Sequence, residues 1–264
     1  MYDKFSSDYD HFVNWESRLA VELPFLEQTM RPLSGPVKVL DAACGTGMHA
    51  IALAQLGFAA AAADLSEPMV ARGRMNAEAA GVKVHFATAG FGELAGAFQL
   101  SPLFPFDAII CLGNSLPHLL APTQVSAAMA DFAACLRPGG LLIIQNRNFD
   151  AVMLQKERWM EPQSYSAGQR EWVFLRFYDY DPDGLITFNI ITLFRKNAST
   201  WQQQVNTTRL YPQREQELTT ALHSAGFDEV TAYGNLSGAA FNPASSGNLV
   251  LIARLQNSRE PSAD

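Results

Sequence analysis

Two glycines and an acid stand where the chain could bind a nucleotide-like ligand. Residues 37–57 combine a short apolar run that ends at Asp41, a turn that contains Gly45 and Gly47, and apolar residues at helical spacing. Glycine permits a sharp turn and lets the backbone approach a ligand closely. Such a bend joins the carboxyl end of a strand to the N-terminus of a helix, which is where open α/β sheets bind their ligands. The pattern therefore predicts a nucleotide-like ligand in the bend.

The same spacing leaves a second interpretation open. Gly45-x-Gly47-x-x-Ala50 satisfies a loose dinucleotide fingerprint, so a nicotinamide-dependent dehydrogenase is an alternative. In that fingerprint the first glycine follows the strand closely, whereas here Asp41-Ala42-Ala43-Cys44 intervenes. The turn also has nothing obvious to hold a second nucleotide half. Both features disfavour the dehydrogenase.

Strand and helix patterns alternate around this bend. Short apolar runs are followed by segments with apolar residues at helical spacing, which predicts an α/β fold with a doubly wound, mostly parallel sheet. Two last strands, 227–233 and 248–255, bring the predicted sheet to seven strands. The other predicted strands are 37–41, 58–63, 82–87, 106–112 and 141–145, the predicted helices are 47–56, 66–80, 122–136 and 213–225, and a turn is predicted at 137–140.

A different pattern interrupts the sheet after about residue 160. Residues 169–180, 185–196 and 203–211 alternate like exposed antiparallel strands, and the first two are joined by a turn that contains Pro182 and Gly184. We interpret residues 160–212 as an inserted antiparallel lid that covers one rim of the sheet.

The N-terminal part is expected to add a helical cap. Residues 8–31 look helical, and Pro24 predicts either a bend or the start of a second helix. On this interpretation residues 1–35 form the cap, and the whole chain, 1–264, is a single domain.

Composition argues against several classes of partner. The chain has 264 residues and a net charge of −7, which disfavours binding to nucleic acid or to an anionic membrane surface. No apolar run approaches the ~20 residues that span a bilayer, and the first residues lack a signal-peptide pattern. Cys44, Cys111 and Cys135 show no metal-ligand spacing, so we expect buried thiols, no metal and a reducing cytoplasm. A small-molecule partner is expected, and the sequence does not indicate an oligomeric state.

The string LDAACGTG at 40–47 resembles the first motif of class I S-adenosylmethionine-dependent methyltransferases. The resemblance implies a Rossmann-like methyltransferase fold and S-adenosylmethionine as the cofactor. It also implies that Asp64, at the end of the second predicted strand, binds the ribose hydroxyls, since a carboxylate can accept two hydroxyl hydrogen bonds. By the same resemblance Asp41 acts through the methionine ammonium, and its alternative role is to hold the glycine turn together.

Adenine recognition departs from the family pattern. The family usually carries an acid after the third strand, whereas this chain has Gly90. We therefore expect backbone groups and stacking on Phe91 to take its place, with core packing as the alternative for Phe91. A cation must meet the methionine carboxylate, and Arg18 is the expected one. The cofactor-binding residues implied by the resemblance are Arg18, Asp41, Ala43, Gly45, Gly47, Asp64, Leu65, Met69, Gly90, Phe91 and Leu112.

The fourth strand narrows the resemblance to the glycine N-methyltransferase branch. LGNS at 112–115 resembles the turn that lines the meeting point of methyl group and amine in that branch. NRNFD at 146–150 resembles the string whose arginine clamps the substrate carboxylate, with Asn146 and Phe149 departing from the usual His and Tyr. The resemblance assigns that carboxylate to Arg147, whose guanidinium can bind it bidentately. A surface or ion-pair arginine is the alternative.

A few further residues complete the expected site. His118 is a candidate to accept the amine proton, with a structural histidine as the alternative, and the apolar stripes that include Trp172 and Phe188 are expected to pack in the lid and core. The expected catalytic residues are Asn114, Arg147 and His118, and the expected substrate-binding residues are Tyr2, Tyr9, Gly113, Asn114, Arg147 and Tyr211.

The expected activity is transfer of a methyl group to the amine of a small carboxylate-bearing substrate such as glycine, sarcosine or a related amino acid. Methyl transfer from a sulfonium depends mainly on positioning and desolvation, which fits a chain with no evident catalytic triad. The alternative within the class is a small-molecule O-methyltransferase or natural-product methyltransferase with the same cofactor site.

Overall fold

Two β-sheets and seven α-helices make up the fold within residues 14–33, 35–197 and 199–257, which the computed structural model describes. The helices, numbered along the described chain, are α1 (Trp15–Met30), α2 (Met48–Gln55), α3 (Glu67–Ala79), α4 (Leu94–Phe98), α5 (Pro122–Cys135), α6 (Phe149–Gln155) and α7 (Glu215–Ser224). The strands are β1 (Lys38–Ala42), β2 (Ala59–Asp64), β3 (Val84–Thr88), β4 (Phe106–Cys111), β5 (Leu136–Arg147), β6 (Gln163–Ala167), β7 (Arg170–Tyr180), β8 (Ile186–Lys196), β9 (Gln202–Leu210), β10 (Phe227–Tyr233) and β11 (Asn248–Leu255).

The larger sheet has seven strands in the order β10-β11-β5-β4-β1-β2-β3. The pairs from β5 to β3 are parallel, while β11 pairs antiparallel with both β5 and β10. The predicted doubly wound, mostly parallel sheet of seven strands is therefore confirmed. Because parallel strands end at one edge, the turns after β1, β2, β3, β4 and β5 meet there.

The core lies on both faces of this sheet, which explains why its strands are apolar at consecutive positions. Leu40 and Ile109 pack on one face with α4, α5 and α7. Their neighbours Val39 and Ile110 pack on the opposite face with α1, α2 and α3. No helix of the described residues is long and apolar enough to cross a membrane.

The smaller sheet is antiparallel, with the strand order β6-β7-β8-β9. Three of its strands match the prediction, and the turn at Asp181–Gly184 joins β7 to β8 as expected. The first strand, β6, was not predicted because its sequence, QSYSA, is polar and almost fully exposed. The sheet is inserted between α6 and α7, so it interrupts the βα alternation once.

Two sequence-based boundaries need correction. Pro24 lies inside α1, which is one helix from Trp15 to Met30, so no second helix begins there. The turn predicted at 137–140 belongs to β5, where it forms a bulge. Phe106 of β4 pairs with Leu136 of β5, and Ala108 pairs with Leu141, so β5 has extra residues between these two pairs. Gly139 has a φ of 72°, which a glycine adopts without strain, and this lets the bulge form.

Candidate active site

A cavity of about 620 Å³ lies between the carboxyl edge of the parallel sheet and the antiparallel sheet. One wall is formed by the turns after β1 to β5, with Ala43, Gly45 and Asp64 at one end and Asn114 and Arg147 at the other. The opposite wall is formed by side chains of β7, β8 and β9. The cavity therefore brings together turns that are far apart in the sequence, at the edge where ligands of α/β sheets bind.

The glycine turn is fixed to the next strand by the side chain of Asp64. The backbone N–H of Gly45 donates to Asp64 Oδ2 at 2.8 Å, and the N–H of Ser66 donates to Asp64 Oδ1 at 2.9 Å. Ala43 and Gly45 have φ values of 61° and 55°, so the backbone turns sharply at the cavity wall. Asp64 thus presents a carboxylate at the mouth of the turn while holding it in place.

Gly47, predicted as a cofactor contact, has a different surrounding. A Cβ atom at Gly47 would lie 2.9 Å from the ring of Phe86, and a Cβ at Gly73 of α3 would lie 2.7 Å from the same ring. The Phe86 ring therefore occupies a slot between the two glycines. Gly47 packs on this ring and is not among the cavity-lining residues.

Asp41 lies beneath the glycine turn and is only 2% exposed. The N–H of Ala50, in the first turn of α2, donates to its carboxyl group, while Oδ2 has no hydrogen-bond partner within the described residues. Burial, reinforced by the charge of Asp64, raises the pKa of Asp41 to about 8. Without a ligand, the carboxyl is therefore neutral at pH 7.

The turn after β3 supplies an acid that the sequence did not point to. Glu93 lines the cavity, and its carboxylate accepts a hydrogen bond from the N–H of Gly90 at 3.0 Å. Phe91 lines the cavity as well and meets Phe132 edge to face at 5.8 Å, so it serves both as wall and as core. Leu65 and Met69 line the same end.

The turn after β4 is tied to β5 by hydrogen bonds. Gly113 N–H donates to Gln145 Oε1 at 2.8 Å, and Asn114 N–H donates to the Gln145 carbonyl at 3.1 Å. Asn114 has a φ of 66°, and its Oδ1 accepts from the Arg147 N–H at 2.9 Å. Gly113, Asn114 and Arg147, all predicted as site residues, therefore lie together on the cavity wall.

The antiparallel sheet contributes Arg176 and Tyr178 to the opposite wall. The Arg147 side chain hydrogen-bonds Tyr178, which is 3% exposed, and burial raises the pKa of this tyrosine to about 12. Burial, followed by the charge of Arg147, lowers the pKa of Arg176. Two guanidinium groups from different sheets thus face the same space.

His118 lies on the cavity wall in the short 3₁₀ turn at Leu116–His118. Burial lowers the pKa of this histidine, so the imidazole is neutral at pH 7. A neutral ring can accept a proton, which is the property that the predicted role requires.

Arg18 lies next to the cavity and not on its wall. Its Nε donates to both oxygens of Glu22, at 3.0 and 3.1 Å, and its Nη2 is 3.8 Å from the place that a Cβ on Gly113 would take. Glu22 Oε2 is also 2.6 Å from His49 Nε2 on α2. Glu22 thus links the first helix to the helix of the glycine turn.

Two further predicted residues stand outside the cavity wall, and two cannot be placed. Tyr211 donates its hydroxyl to Glu217 at 3.2 Å on α7, and Leu112 is buried behind the β4 turn. Tyr2 and Tyr9 lie outside the described residues.

The residues that sequence reasoning missed come mainly from the antiparallel sheet. Strand alternation shows which residues share a face, but it does not show which face meets a cavity. Phe188 and Ile190, expected only as packing residues, line the cavity too. The missed wall residues with polar groups are Glu93, Ser115, Arg176, Tyr178 and Thr208.

Comparison with known families points in one direction. Residues 39–140 match the family model described as "Methyltransferase domain", which spans β1 to the bulge of β5. The glycine/sarcosine N-methyltransferase of Aphanothece halophytica is 29% identical over 231 residues, covering 88% of this chain and 81% of the relative. The human glycine N-methyltransferase is 35% identical over 128 residues, covering 45% of this chain and 43% of the relative.

Solved structures share the fold along almost the whole chain. An S-adenosylmethionine-dependent methyltransferase from Clostridium acetobutylicum has a TM-score of 0.75 at 17% identity, covering 97% of this chain and 99% of the other. CalS10, an amino pentose methyltransferase from Micromonospora echinaspora with SAM bound, has a TM-score of 0.67 at 19% identity, covering 92% of both chains.

Proposed function

Because the chain is a class I S-adenosylmethionine-dependent methyltransferase that resembles the glycine N-methyltransferase branch, we propose that it methylates the amine of a small carboxylate-bearing substrate. Glycine, sarcosine and related amino acids form the proposed class. The observation that supports this most is the position of Arg147, a guanidinium on the cavity wall whose backbone is bonded to Asn114. The nicotinamide alternative is set aside with the assignment of the family.

The residues at the glycine-turn end fit S-adenosylmethionine. Asp64 can accept hydrogen bonds from ribose hydroxyls. Glu93 can accept a hydrogen bond from the adenine amino group, which Gly90 cannot do because it has no side chain. The Asp41 carboxyl, with one buried oxygen unpartnered within the described chain, can meet the methionine ammonium directly or through water. Arg18 would take the methionine carboxylate, since its Nη2 approaches Gly113.

The other end of the cavity would hold the acceptor. A bidentate pair between Arg147 and a substrate carboxylate fixes both the position and the direction of the amine. Asn114, held by Arg147 and Gln145, would orient the amine through its side chain or the adjoining turn. The apolar side chains Phe188 and Ile190 exclude water from this end, which favours attack by a neutral amine.

When bound, S-adenosylmethionine supplies an electrophilic methyl group on a sulfonium. The neutral amine of the acceptor, oriented by Arg147 and Asn114, would take this methyl group in exchange for one proton. His118 is the proposed acceptor of that proton, since its burial keeps the imidazole neutral at pH 7.

The test of this function combines an acceptor screen with the variant Arg147→Ala. The wild-type protein should transfer labelled methyl from S-adenosylmethionine to at least one small amino acid and not to phenolic acids. In Arg147→Ala, kcat/KM for that amino acid should fall about 100-fold, since a charged bidentate contact is lost. The Kd for S-adenosylhomocysteine, measured by calorimetry, should stay within about twofold.

A matched control removes an arginine at the far end of the same pair of strands. Arg254 of β11 pairs with Glu229 and lies opposite Leu141, whereas Asn248 of the same strand lies opposite Arg147. Arg254→Ala should leave acceptor kinetics unchanged. Transfer to phenols alone, or equal turnover in Arg147→Ala and wild type, would contradict the proposed function.

A further inference from the structure

Arg18, which would take the methionine carboxylate, is held by an acid of its own helix. Its Nε donates to both oxygens of Glu22, at 3.0 and 3.1 Å. The remaining N–H donors of the guanidinium are on Nη1 and Nη2. Nη2 lies 3.8 Å from the place that a Cβ on Gly113 of the cavity wall would take. Glu22 therefore bonds the Nε while Nη2 of the same guanidinium lies close to the cavity.

The Arg18–Glu22 pair differs from a second ion pair at the end of the same helix. The side chains of Arg18 and Glu22 are 21% and 13% exposed, whereas those of Arg31 and Glu27 are 64% and 26% exposed. An acid four residues before a base stabilises a helix more than the reverse order does. Glu27 and Arg31 have the favourable order, and Arg18 and Glu22 have the reverse. Helix stability therefore accounts for the second pair and not for the first.

Glu22 is held in turn by the helix that follows the glycine turn. Its Oε2 lies 2.6 Å from Nε2 of His49, which is buried on α2. Burial raises the pKa of Glu22, but the hydrogen bond with His49 and the charge of Arg18 outweigh it, so the pKa lies below its ordinary value. Burial lowers the pKa of His49, which makes the imidazole neutral at pH 7. An ionised carboxylate only accepts, so Nε2 carries the ring proton and donates it to Glu22.

Aromatic contacts support the same arrangement. The rings of Trp15 and His49 meet edge to face, with their centres 5.4 Å apart. Cζ of Arg18 lies 5.2 Å from the centre of the Trp15 ring, which is within the range of cation–π attraction. Arg18 and His49 thus contact the same indole as well as the same carboxylate.

Consecutive residues of α2 thereby reach both groups that would meet the amino-acid part of the cofactor. His49 donates to Glu22, which holds Arg18. The N–H of the next residue, Ala50, donates to the buried carboxyl of Asp41. The first turn of α2 therefore sets the distance between the guanidinium for the methionine carboxylate and the carboxyl for the methionine ammonium.

We propose that Glu22 is a positioning residue for S-adenosylmethionine, which holds Arg18 in place for the methionine carboxylate, and that His49 in turn positions Glu22. A guanidinium that is already oriented loses less side-chain entropy on binding, so more of the free energy of its contact contributes to affinity. Both residues act through Arg18 and not on the reacting atoms. This inference rests on the role proposed for Arg18, and it does not depend on which amine is methylated.

The experiment compares two ligands that differ in one carboxylate. S-adenosylhomocysteine and decarboxylated S-adenosylhomocysteine share the adenosine, the thioether and the ammonium. The Kd of the decarboxylated compound divided by the Kd of S-adenosylhomocysteine, both measured by calorimetry, is therefore the carboxylate preference of the protein. We expect Arg18→Ala to lower this preference about 30-fold, because a hydrogen bond between charged groups is lost, and Glu22→Ala to lower it about tenfold.

Three further variants separate positioning from a general structural role. Glu22→Gln keeps an oxygen for Arg18 and an amide group for His49, so it should retain the carboxylate preference within about threefold. In the Arg18→Ala background, Glu22→Ala should change the preference less than about twofold, because the contact between the two side chains is already gone. His49→Phe keeps a ring against Trp15 but loses the Nε2 donor, so it should lower the preference about threefold. This last variant tests the inference even if Glu22→Ala does not fold.

Glu27→Ala is the matched control. Glu27 bonds an arginine four residues away, as Glu22 does, but neither Glu27 nor Arg31 lines the cavity. Its loss removes the same charge from the same helix and should leave both Kd values unchanged.

The possible failures are distinguishable. If Arg18→Ala lowers the carboxylate preference and Glu22→Ala does not, this inference is overturned and the role proposed for Arg18 stands. A preference that rises in both Glu22→Ala and Glu22→Gln would overturn it too, because Glu22 would then act only through its negative charge. The same holds if Glu22→Ala weakens both ligands equally, as loss of a purely structural contact would. An unchanged preference in Arg18→Ala would overturn the role of Arg18 together with this inference, whereas the acceptor screen tests amine methylation separately.

Discussion

The two walls of the cavity are built from different materials. The wall from the parallel sheet consists of tight turns whose shape is set by backbone hydrogen bonds and by glycines, and one of its charged side chains, Asp64, holds the glycine turn in place. The opposite wall is the face of a regular antiparallel sheet, where Arg176 and Tyr178 stand on β7 without shaping the backbone. The shape of the first wall therefore depends on the local geometry of its turns, whereas the properties of the second wall depend on which side chains it carries.

This difference separates two kinds of mutational effect. Changes at Asp64, at the glycine-turn end of the first wall, should alter the turn together with the binding of S-adenosylmethionine, because one side chain serves both. Changes on the antiparallel wall should alter only the kinetics with the methyl acceptor, because the pairing of the strands survives the replacement of a side chain. Each of the following experiments tests this separation of mutational effects, and a result other than the expected one would contradict it.

The largest effect is expected for Asp64→Asn. The carboxylate accepts from Gly45 and Ser66 on its two oxygens, and an amide has an acceptor for only one of them. We expect the Kd for S-adenosylhomocysteine to rise about 100-fold, the loss of roughly 2.7 kcal/mol. The control is Glu67→Gln, a neighbouring acid on α3 that bonds Thr88 outside the cavity. A change below threefold in Asp64→Asn would show that the turn does not depend on this carboxylate.

The next effect concerns the acid buried beneath the same turn. With its pKa at about 8, Asp41 is protonated in the folded protein, whereas in the unfolded chain it ionises near pH 4. The folded state therefore binds the extra proton between these values, and the free energy of unfolding falls as pH rises from about 4 to 8, by up to about 1.4 kcal/mol per pH unit.

Asp41→Asn should lack this contribution. Urea unfolding of both proteins without cofactor, at pH 5, 6, 7 and 8, should give a difference in stability that changes steadily with pH in favour of the variant. Parallel stability curves would mean that the buried carboxyl is ionised throughout. Such a result would also mean that burial beneath the glycine turn does not disfavour the charged form of Asp41.

The smallest effect is expected on the antiparallel wall, for Tyr178→Phe. The ring stays buried, and only the hydroxyl that bonds Arg147 is lost. We expect kcat/KM for the acceptor to fall about fivefold, which corresponds to one hydrogen bond of about 1 kcal/mol, with an unchanged Kd for S-adenosylhomocysteine. Tyr180→Phe is the control, because that hydroxyl donates to the Glu157 carbonyl, outside the cavity. An altered Kd for S-adenosylhomocysteine in Tyr178→Phe would contradict the separation.

The parallel sheet could be predicted from the sequence because its signals are local. Apolar runs, the glycine turn and the acid at the end of β2 follow from residues close together in the chain, and the observed strands agree with them within a few residues. The bulge in β5 could not be predicted, since the Pro-Gly-Gly string at 138–140 is equally typical of a turn.

The candidate site was predictable only where a motif carries it. Arg147 and Asn114 follow strands that the motifs identify, whereas Arg176 stands in a strand with no motif at all. Glu93 was missed for another reason. The position where the acid is expected holds Gly90, and the chain turns back at Gly92, with a φ of 93°, which brings Glu93 to the cavity. Such a return depends on tertiary structure, which spacing in the sequence does not encode.

The slot that holds Phe86 has a consequence for ligand affinity. A phenyl ring wedged between Gly47 and Gly73 locks the edge strand β3 against two helices, so the loop ahead of α2 cannot relax without expelling the ring. The half of the cavity next to this wedge is thus closely packed before any ligand binds. A ligand that binds there orders little of the chain, so less conformational entropy is lost and more of the free energy of its contacts contributes to affinity.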